Sequence, residues 1–271
     1  MALFVDDFSG YTLDSPPSGW TSPWVSPHPN TRILQSDLFG LPEDVFGEFV
    51  FHVTGSGEGR VAFYPDAAAT TGSKVEVYGV IAYSNPTSLS SLPTLNIRGS
   101  GSASTRTGYL VWLRPGTNNY AIRKYTSGSE SVLASGTLSD YYNADESNSG
   151  HVHFEAEDQG GSVVLRMRAW KVGDPYPQDP DLEATDSSSP FMSGWNGIGD
   201  ILGAAKQWGT VRIATDSDTA LPEEFTGGVV SAEPFALRHN PRTNKVIPVL
   251  SAPTVTDIGA NCVRPRVTKG Y

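Results

Sequence analysis

The chain has 271 residues, a length that fits one large domain or two modest ones. Charged residues make up only 18% and the formal net charge is −10, a balance that disfavours nucleic acid as a partner. No apolar run reaches eighteen residues, which excludes a transmembrane helix. The start, MALFVDDF, lacks the regions of a signal peptide, and the single cysteine, Cys262, excludes an internal disulfide.

The first predicted element is a short apolar strand at the start of FVDDFSGYTLDSPPSGW (4–20). A loop rich in Ser, Pro and Gly follows the strand and ends on Trp20. Pro and Gly favour turns and stiff loops over regular structure, so the strand is expected to be short.

From residue 47 onward the body alternates apolar and polar residues, which predicts β-strands. The predicted strands cover 47–54, 59–65, 74–83, 94–99, 108–114, 119–125, 131–136, 151–158, 162–170 and 207–215. Turn sequences such as SNPTS and RPGTNN separate them, and no stretch keeps a helical period for more than about two turns. Many short strands with frequent turns predict an all-β fold, an antiparallel β-sandwich or jelly roll.

One hairpin can be placed in register from the sequence alone. HVHFEAED (151–158) and SVVLRMRAW (162–170) are joined by a glycine-containing turn. A four-residue loop, 158–161, would place Arg166 opposite His153. One face of this hairpin is then apolar and faces the core. The other face is charged and carries His151, His153, Glu155, Glu157, Arg166 and Arg168.

A domain boundary is predicted near residue 235. Residues 1–235 form the β body, and 236–271 form a proline-spaced, extended C-terminal arm that is too short to bury a core of its own. The arm is basic, with one acidic residue against six Lys or Arg. We expect it to dock on protein, either its own body or a neighbouring chain, through Arg238, Arg242, Lys245, Arg264 and Arg266.

Three segments of the body resemble a known family. They are VDDFSGYTLDSPPSGW (5–20), LRMRAWKVGDPYPQDPDLEATDSSSPFMSGWNGIGD (165–200) and GTVRIATDSDTALP (209–222). They look like parts of the concanavalin A-like lectin/glucanase (LamG-like) jelly-roll domains of tailed-bacteriophage virion proteins. The resemblance implies that the first strand enters the sandwich at its edge and that Trp20 plugs the rim. The alternative is a sugar platform formed by Trp20 and Trp24.

The arm carries a further resemblance. PVLSAPTVTDIGANCVRPRVT (248–268) looks like a segment common in tailed-phage and prophage virion proteins. It implies a location in the virion, anchoring to other virion proteins, and strand addition to another subunit. A homo-oligomer, with a trimer favoured, is the expected assembly.

Catalytic and metal sites are weaker hypotheses. Glu155 and Glu157 share a strand face, but the middle aspartate of the glucanase motif is absent, and nearby arginines would keep both carboxyls ionised. We therefore expect a salt-bridged surface and no enzyme activity. His151, His153 and Glu155 have a spacing that could bind a transition metal, although arginines nearby disfavour it. Calcium is the other candidate, at the rim aspartates Asp6, Asp7, Asp186, Asp216 and Asp218, which are also ordinary turn residues.

Carbohydrate binding is the favoured function. Aromatic residues make up 10% of the chain, and aromatic rings in a weakly charged groove suit sugars. Either Trp112 with Arg114 or Tyr125 with Arg123 could line such a groove. The favoured alternative for each pair is a place in the core or as cover of the sheet, but this group is the prediction if a sugar binds. The sequence thus predicts a tail fibre, spike or head fibre that recognises a host-surface glycan. The alternatives are a purely structural decoration or tail protein and, less favoured, a polysaccharide hydrolase.

Overall fold

The structure, a computed structural model, describes residues 2–23, 30–39, 41, 43–54, 60–68, 70–83, 92–114, 119–138, 149–201, 206–226, 239–240 and 245–246. Contacts within the chain divide it into two units, Met1–Leu221 and Pro222–Tyr271. The boundary predicted near residue 235 lies inside the second of these units and outside the described residues, so the domain assignment stays a prediction.

Short strands dominate the described residues, as the alternating sequence predicts. In chain order they are β1 Ala2–Asp6, β2 Trp20–Thr21, β3 Asn30–Gln35, β4 Phe49–Thr54, β5 Arg60–Pro65, β6 Lys74–Tyr83, β7 Leu92–Ser100, β8 Thr107–Arg114, β9 Asn119–Thr126, β10 Ser129–Thr137, β11 Ser149–Gln159, β12 Ser162–Lys171, β13 Leu182–Asp186, β14 Trp195–Ile201, β15 Lys206–Thr215, β16 His239–Asn240 and β17 Lys245–Val246. The helices are a 3-10 turn at Ser36–Phe39, α1 at Glu43–Phe46 and α2 at Glu223–Thr226. All ten strands predicted from alternation are confirmed.

Two antiparallel sheets form the first unit. Sheet I has the order β13-β12-β11-β6-β15-β4-β3, with β1 paired to β15 outside this path, and sheet II has the order β10-β9-β8-β7-β14-β5-β2. In sheet I, β4 pairs with the start of β15 and β1 with its end, where Asp6 lies opposite Val211. The β-sandwich is confirmed, and the first strand joins it beside the main strand order, as expected of an edge strand.

The core lies between the sheets because each strand turns alternate apolar side chains inward. Sheet I contributes Val77, Val152, Phe154, Leu165, Met167 and Trp208, and sheet II contributes Phe63, Ile97, Tyr109, Val111, Leu113 and Ile198, all 6% exposed or less. The apolar face predicted for the β11–β12 hairpin is therefore confirmed.

Three ion pairs, each with at least one buried partner, also cross from one sheet to the other, and the sequence pattern does not predict them. They are Arg98 with Asp158 (2.6 Å), Lys124 with Asp186 (2.7 Å) and Lys206 with Asp200. In the third pair, burial raises the pKa of Asp200 to about 7 and lowers that of Lys206, while each partner's charge opposes the shift of the other. The opposite charge of each partner offsets the free-energy cost of removing these charges from water.

The predicted register of the β11–β12 hairpin is wrong by two residues. Arg166 lies opposite Glu155, not His153, and the ladder continues to Gln159 and Ser162. The turn is therefore only Gly160-Gly161, whose φ angles of 59° and 100° fit a two-residue hairpin turn.

The second unit contains few described residues. Within it, α2 covers one short turn, and β16 pairs antiparallel with β17 so that His239 lies opposite Val246 and Asn240 opposite Lys245. The sequence predicts no strands in this segment, so this short pair is a departure from the expected extended arm.

Candidate binding face

Four of the predicted sugar-contacting residues come together on the outer face of sheet II. Because Tyr109, Val111 and Leu113 turn into the core, the alternate residues Trp112 and Arg114 of β8 face outward. On β9, Arg123 lies opposite Leu110, and Tyr125 lies opposite Gly108, so both share that outward face. The period-two prediction for these strands is confirmed.

The arginines lie against the aromatic rings. The guanidinium carbon Cζ of Arg123 lies 4.5 Å from the ring centroid of Trp112, and that of Arg114 lies 5.5 Å from the same centroid. Arg106, from the turn before β8, lies 4.7 Å from the ring centroid of Tyr125. We call these five residues the arginine–aromatic face. Cation–π contacts of this kind hold a guanidinium in a fixed position.

The guanidinium side chains, rather than the rings, meet solvent on this face. Trp112 is 8% exposed and Tyr125 is fully buried, whereas Arg106, Arg114 and Arg123 are partly exposed. An incoming ligand would therefore first meet hydrogen-bond donors backed by aromatic rings. This arrangement differs from an open ring on which a sugar stacks directly.

The arginines of this face differ in their partners. Arg123 contacts the carboxylate of Glu130, and the hydroxyl of Tyr125 donates to the same carboxylate at 2.6 Å. Arg106 donates to the carbonyl of Ala103 at 2.7 Å. Within the described residues, the guanidinium of Arg114 lies against the ring of Trp112, and its side chain has neither an ion pair nor a hydrogen bond.

A second aromatic pair on the same side of sheet II is not predicted from the sequence. The rings of Tyr64 and Trp195 stack at 5.3 Å with an interplanar angle of 10°, and both belong to the apolar cluster around Trp112. A Cβ on Gly99 would lie 2.4 Å from the Trp195 ring, so this glycine lets the indole lie flat. The Gly-Trp-x-Gly sequence at 194–197 is the signal that could have indicated it.

Trp20 lies elsewhere, at the rim of the core. Its ring packs 5.7 Å from Phe8 and 6.0 Å from Phe51, and its Nε1–H donates to Asp6 Oδ2 at 2.8 Å. These contacts match the plug rather than the sugar platform. Trp24, the other half of that platform, lies outside the described residues.

The rim aspartates proposed as calcium ligands do not come together. Asp6 accepts hydrogen bonds from the Phe8 amide, the Tyr11 hydroxyl and the Trp20 indole, so both of its oxygens serve the opening loop. Asp6 lies opposite Val211 in the β1–β15 ladder, five residues from Asp216, or roughly 17 Å along a strand.

Three of the remaining aspartates have side-chain partners. Asp7 accepts from Ser9, Asp216 accepts from Ser73, and Asp186 pairs with Lys124. Asp218 has a backbone bond to the carbonyl of Thr215. Among the described residues, no group of three or more His, Cys, Asp or Glu side chains is placed to hold a metal ion.

The outer face of sheet I carries the predicted charge network. Arg166 contacts Glu155 Oε1 at 2.5 Å, Glu157 Oε2 at 2.8 Å and Glu183 Oε2 at 2.8 Å. The hydrogen bond and charge of Arg166 lower the pKa of Glu157 despite slight burial. The salt-bridged interpretation of this face is confirmed by these contacts.

Strand β6 adds two charged residues that the sequence reading does not assign to this face. Lys74 Nζ lies 2.5 Å from Glu76 Oε1 and 3.2 Å from Glu155 Oε2. Burial alone would raise the pKa of Glu76, but contacts with His153 and Lys74 outweigh it and lower that pKa well below its ordinary value. Glu76 also accepts hydrogen bonds from the Thr219 hydroxyl and the Ala220 amide, both at 2.8 Å.

The two histidines of the predicted metal motif have separate roles. His151 stacks on Trp170 at 5.0 Å, and burial lowers its pKa to about 4. His153 Nδ1 lies 3.2 Å from the Tyr176 hydroxyl, and its Nε2 lies 3.4 Å from Glu76 Oε2. Their rings therefore pack into the outer surface of sheet I.

Most of the predicted anchoring residues cannot be placed. Lys245 lies in β17, whereas Arg238, Arg242, Arg264 and Arg266 lie outside the described residues. In the described part of the chain, no helix has both the length and the apolar character needed to cross a membrane.

Comparisons with known proteins find only distant structural similarity. No protein-family model matches the chain, and no curated protein matches its sequence. Among solved structures, the carbohydrate-binding module CBM66 from Bacillus subtilis has 15% identity over 72% of this chain and 96% of its own, with a TM-score of 0.46. The VIP36 exoplasmic/lumenal domain in a Ca2+/Man2-bound form has 11% identity over 82% and 90%, with a TM-score of 0.48.

A third similar structure is arcelin-5, a lectin-like defence protein from Phaseolus vulgaris, with 7% identity over 78% of this chain and 96% of its own and a TM-score of 0.44. The all-β sandwich fold itself is established by this chain's own two antiparallel sheets. At such low identities, any inference about a ligand depends on this chain's own side chains.

Proposed function

We propose that this protein is a non-enzymatic carbohydrate-binding protein that contacts its glycan through the arginine–aromatic face. The observation that supports this most is the placement of two guanidiniums over the single ring of Trp112, at 4.5 and 5.5 Å. Fixed hydrogen-bond donors on a weakly charged surface suit the hydroxyl groups of sugars.

The neighbouring strands extend this face with small polar groups. Asn119 lies opposite Arg114 on β8 and opposite Thr137 on β10, and Ser135 lies opposite Ala121. Ser135 and Thr137 are exposed. Amide and hydroxyl groups in one plane with the guanidiniums would supply further hydrogen bonds to a saccharide.

A glycan array probed with the full chain tests the proposal, followed by titration of each ligand found. Arg123→Met keeps the aliphatic stem but removes the guanidinium over Trp112, and we expect at least a tenfold loss of affinity. Arg166→Met is the matched control, because it removes a guanidinium from the outer face of the opposite sheet and should leave affinity unchanged. A folded protein that binds no glycan, or equal losses in both variants, would contradict the proposal.

The absence of enzyme activity is part of this proposal. It is supported by the contacts of Arg166 with both Glu155 and Glu157 and by the lowered pKa of Glu157, since a general acid needs a raised pKa. Polysaccharide cleavage that is lost in both Glu155→Gln and Glu157→Gln would overturn it in favour of a hydrolase.

For the biological setting, we propose a component of a tailed-bacteriophage virion, such as a tail fibre, spike or head fibre, that recognises a host-surface glycan. The support is the resemblance of segments 5–20 and 248–268 to virion proteins. Residues 236–271 would anchor the protein to other virion proteins, with a homotrimer as the favoured assembly. Deleting 236–271 should abolish co-sedimentation with particles, while unchanged incorporation would contradict the anchoring role.

The calcium prediction is tested separately, by thermal unfolding with calcium and with a chelator. A midpoint that falls in the chelator and recovers with calcium would establish a bound cation. An unchanged midpoint would remove the metal from the proposal.

A further inference from the structure

From the arginine–aromatic face we infer, on the basis of the proposed function, that the glycan carries a carboxylate and that Arg114 binds it. The guanidinium of Arg114 lies 5.5 Å from the Trp112 ring centroid. Its Nε is buried and lacks a hydrogen-bond partner among the described residues. A positioned, partly exposed guanidinium without a carboxylate of its own is a suitable site for a carboxylate from a ligand.

Other arginines on the two outer faces show how carboxylates contact guanidiniums in this protein. Arg123, on the same ring, contacts Glu130, and Arg166 on the opposite sheet contacts three glutamates. Arg114 has the same residue type and a similar exposure, but its cross-strand neighbour on β9 is the neutral Asn119. We expect the ligand's carboxylate to contact Arg114 in the way that Glu130 contacts Arg123.

The charge of the chain limits the kind of acidic ligand. The arginine–aromatic face has three arginines, of which Arg123 pairs with Glu130, on a chain whose formal net charge is −10. A long, densely charged polyanion would be repelled by the rest of the body. A single uronic acid unit, whose carboxylate reaches Arg114 while its hydroxyls face Asn119 and Thr137, would feel mainly the local positive charge.

The test uses the full chain with single uronic acids and with short hyaluronate oligosaccharides, in which uronate alternates with a neutral sugar, each beside its carboxyl-reduced form. We expect at least one uronate ligand to bind at least tenfold more tightly than its reduced form. Arg114→Met should abolish that preference, and Arg114→Lys should retain part of it. Arg32→Met, which removes an exposed arginine paired with Asp14 at 3.7 Å, should change nothing.

The outcomes separate this inference from the proposed function. Binding of neutral glycans with equal or greater affinity, or an unchanged preference in Arg114→Met, would refute the carboxylate site and leave the carbohydrate-binding proposal standing. A preference for sulfated or phosphorylated glycans over uronates would also refute it. Failure of the folded protein to bind any neutral or acidic glycan would refute both. Because Arg114 is partly exposed and has no ion pair in the described residues, its variants should fold normally, which circular dichroism checks.

Discussion

Trp20 is expected to hold the rim of the sandwich closed. Its indole packs against the rings of Phe4, Phe8 and Phe51, and its N–H donates to Asp6. Trp20→Phe keeps most of the ring but removes the donor to an acidic side chain, so we expect the free energy of unfolding to fall by about 1–2 kcal/mol. Trp20→Ala also removes the ring contacts. Because Trp20 is half-buried, we expect a loss of about 3 kcal/mol, the lower end for such truncations.

A double-mutant cycle isolates the hydrogen bonds of this rim. The Tyr11 hydroxyl donates to the same Asp6 oxygen as Trp20, at 2.6 Å, so Trp20→Phe combined with Tyr11→Phe leaves that oxygen without either donor. The combined loss should exceed the sum of the two single losses. Urea unfolding followed by circular dichroism measures all three variants. A loss below about 1 kcal/mol in Trp20→Ala, or a loss of glycan binding without a loss of stability, would refute the plug and favour the sugar platform.

Two further predictions concern paired charges. Lys206→Met leaves the Asp200 carboxyl alone between the sheets, so we expect a loss of about 3–5 kcal/mol at pH 7, largely recovered when Asp200→Leu is added. Because burial raises the pKa of Asp200, its carboxyl is more fully protonated and neutral at pH 5 than at pH 7, so the Lys206→Met loss should be smaller at pH 5. A double variant no more stable than the single one would contradict this. The lowered pKa values of Glu76 and Glu157 give stability that is present above pH 4.5 and lost as the pH falls through the folded-state values. Arg166→Met should therefore make urea stability less steep in pH below 5, and an unchanged slope would count against the network.

Period-two alternation predicts the strands well because each sheet has one face in the core. It places Trp112 and Arg114 on one outer face and Val111 on the inner one, and both placements are confirmed. The same rule fails where a bulge interrupts the ladder. Arg98 should point outward with Asn96, but the register shifts between Ile97 and Ser100, and Arg98 has a φ of 56°. Its side chain therefore turns inward, where it is 1% exposed.

Contacts between strands that are far apart in the chain cannot be predicted from the sequence, for a different reason. The order of strands in a sheet depends on how the whole core packs, which no local pattern encodes. Neither the pair of Lys206 with Asp200 nor the stack of Tyr64 on Trp195 follows from alternation. The sequence does not assign Arg106 to the arginine–aromatic face, because the residue lies in a turn. The period of two predicts side-chain directions only within strands. The predicted hairpin register is wrong because Asp158 and Gln159 continue the strand. The turn therefore contains only two residues, both of them glycines.

The outer faces of sheet I and sheet II carry the same types of residue. They differ in the partners that those residues contact. On sheet I, Arg166 and Lys74 contact carboxylates of the same sheet, so each charge is neutralised by the protein itself, and a ligand would have to displace those contacts. On sheet II, Arg114 sits over Trp112 without a carboxylate among the described residues, and a ligand's carboxylate would displace only water. Binding of a new partner is more favourable for an exposed charged side chain that does not first have to give up an existing partner. Recognition is therefore expected on sheet II, although sheet I contains more charged side chains.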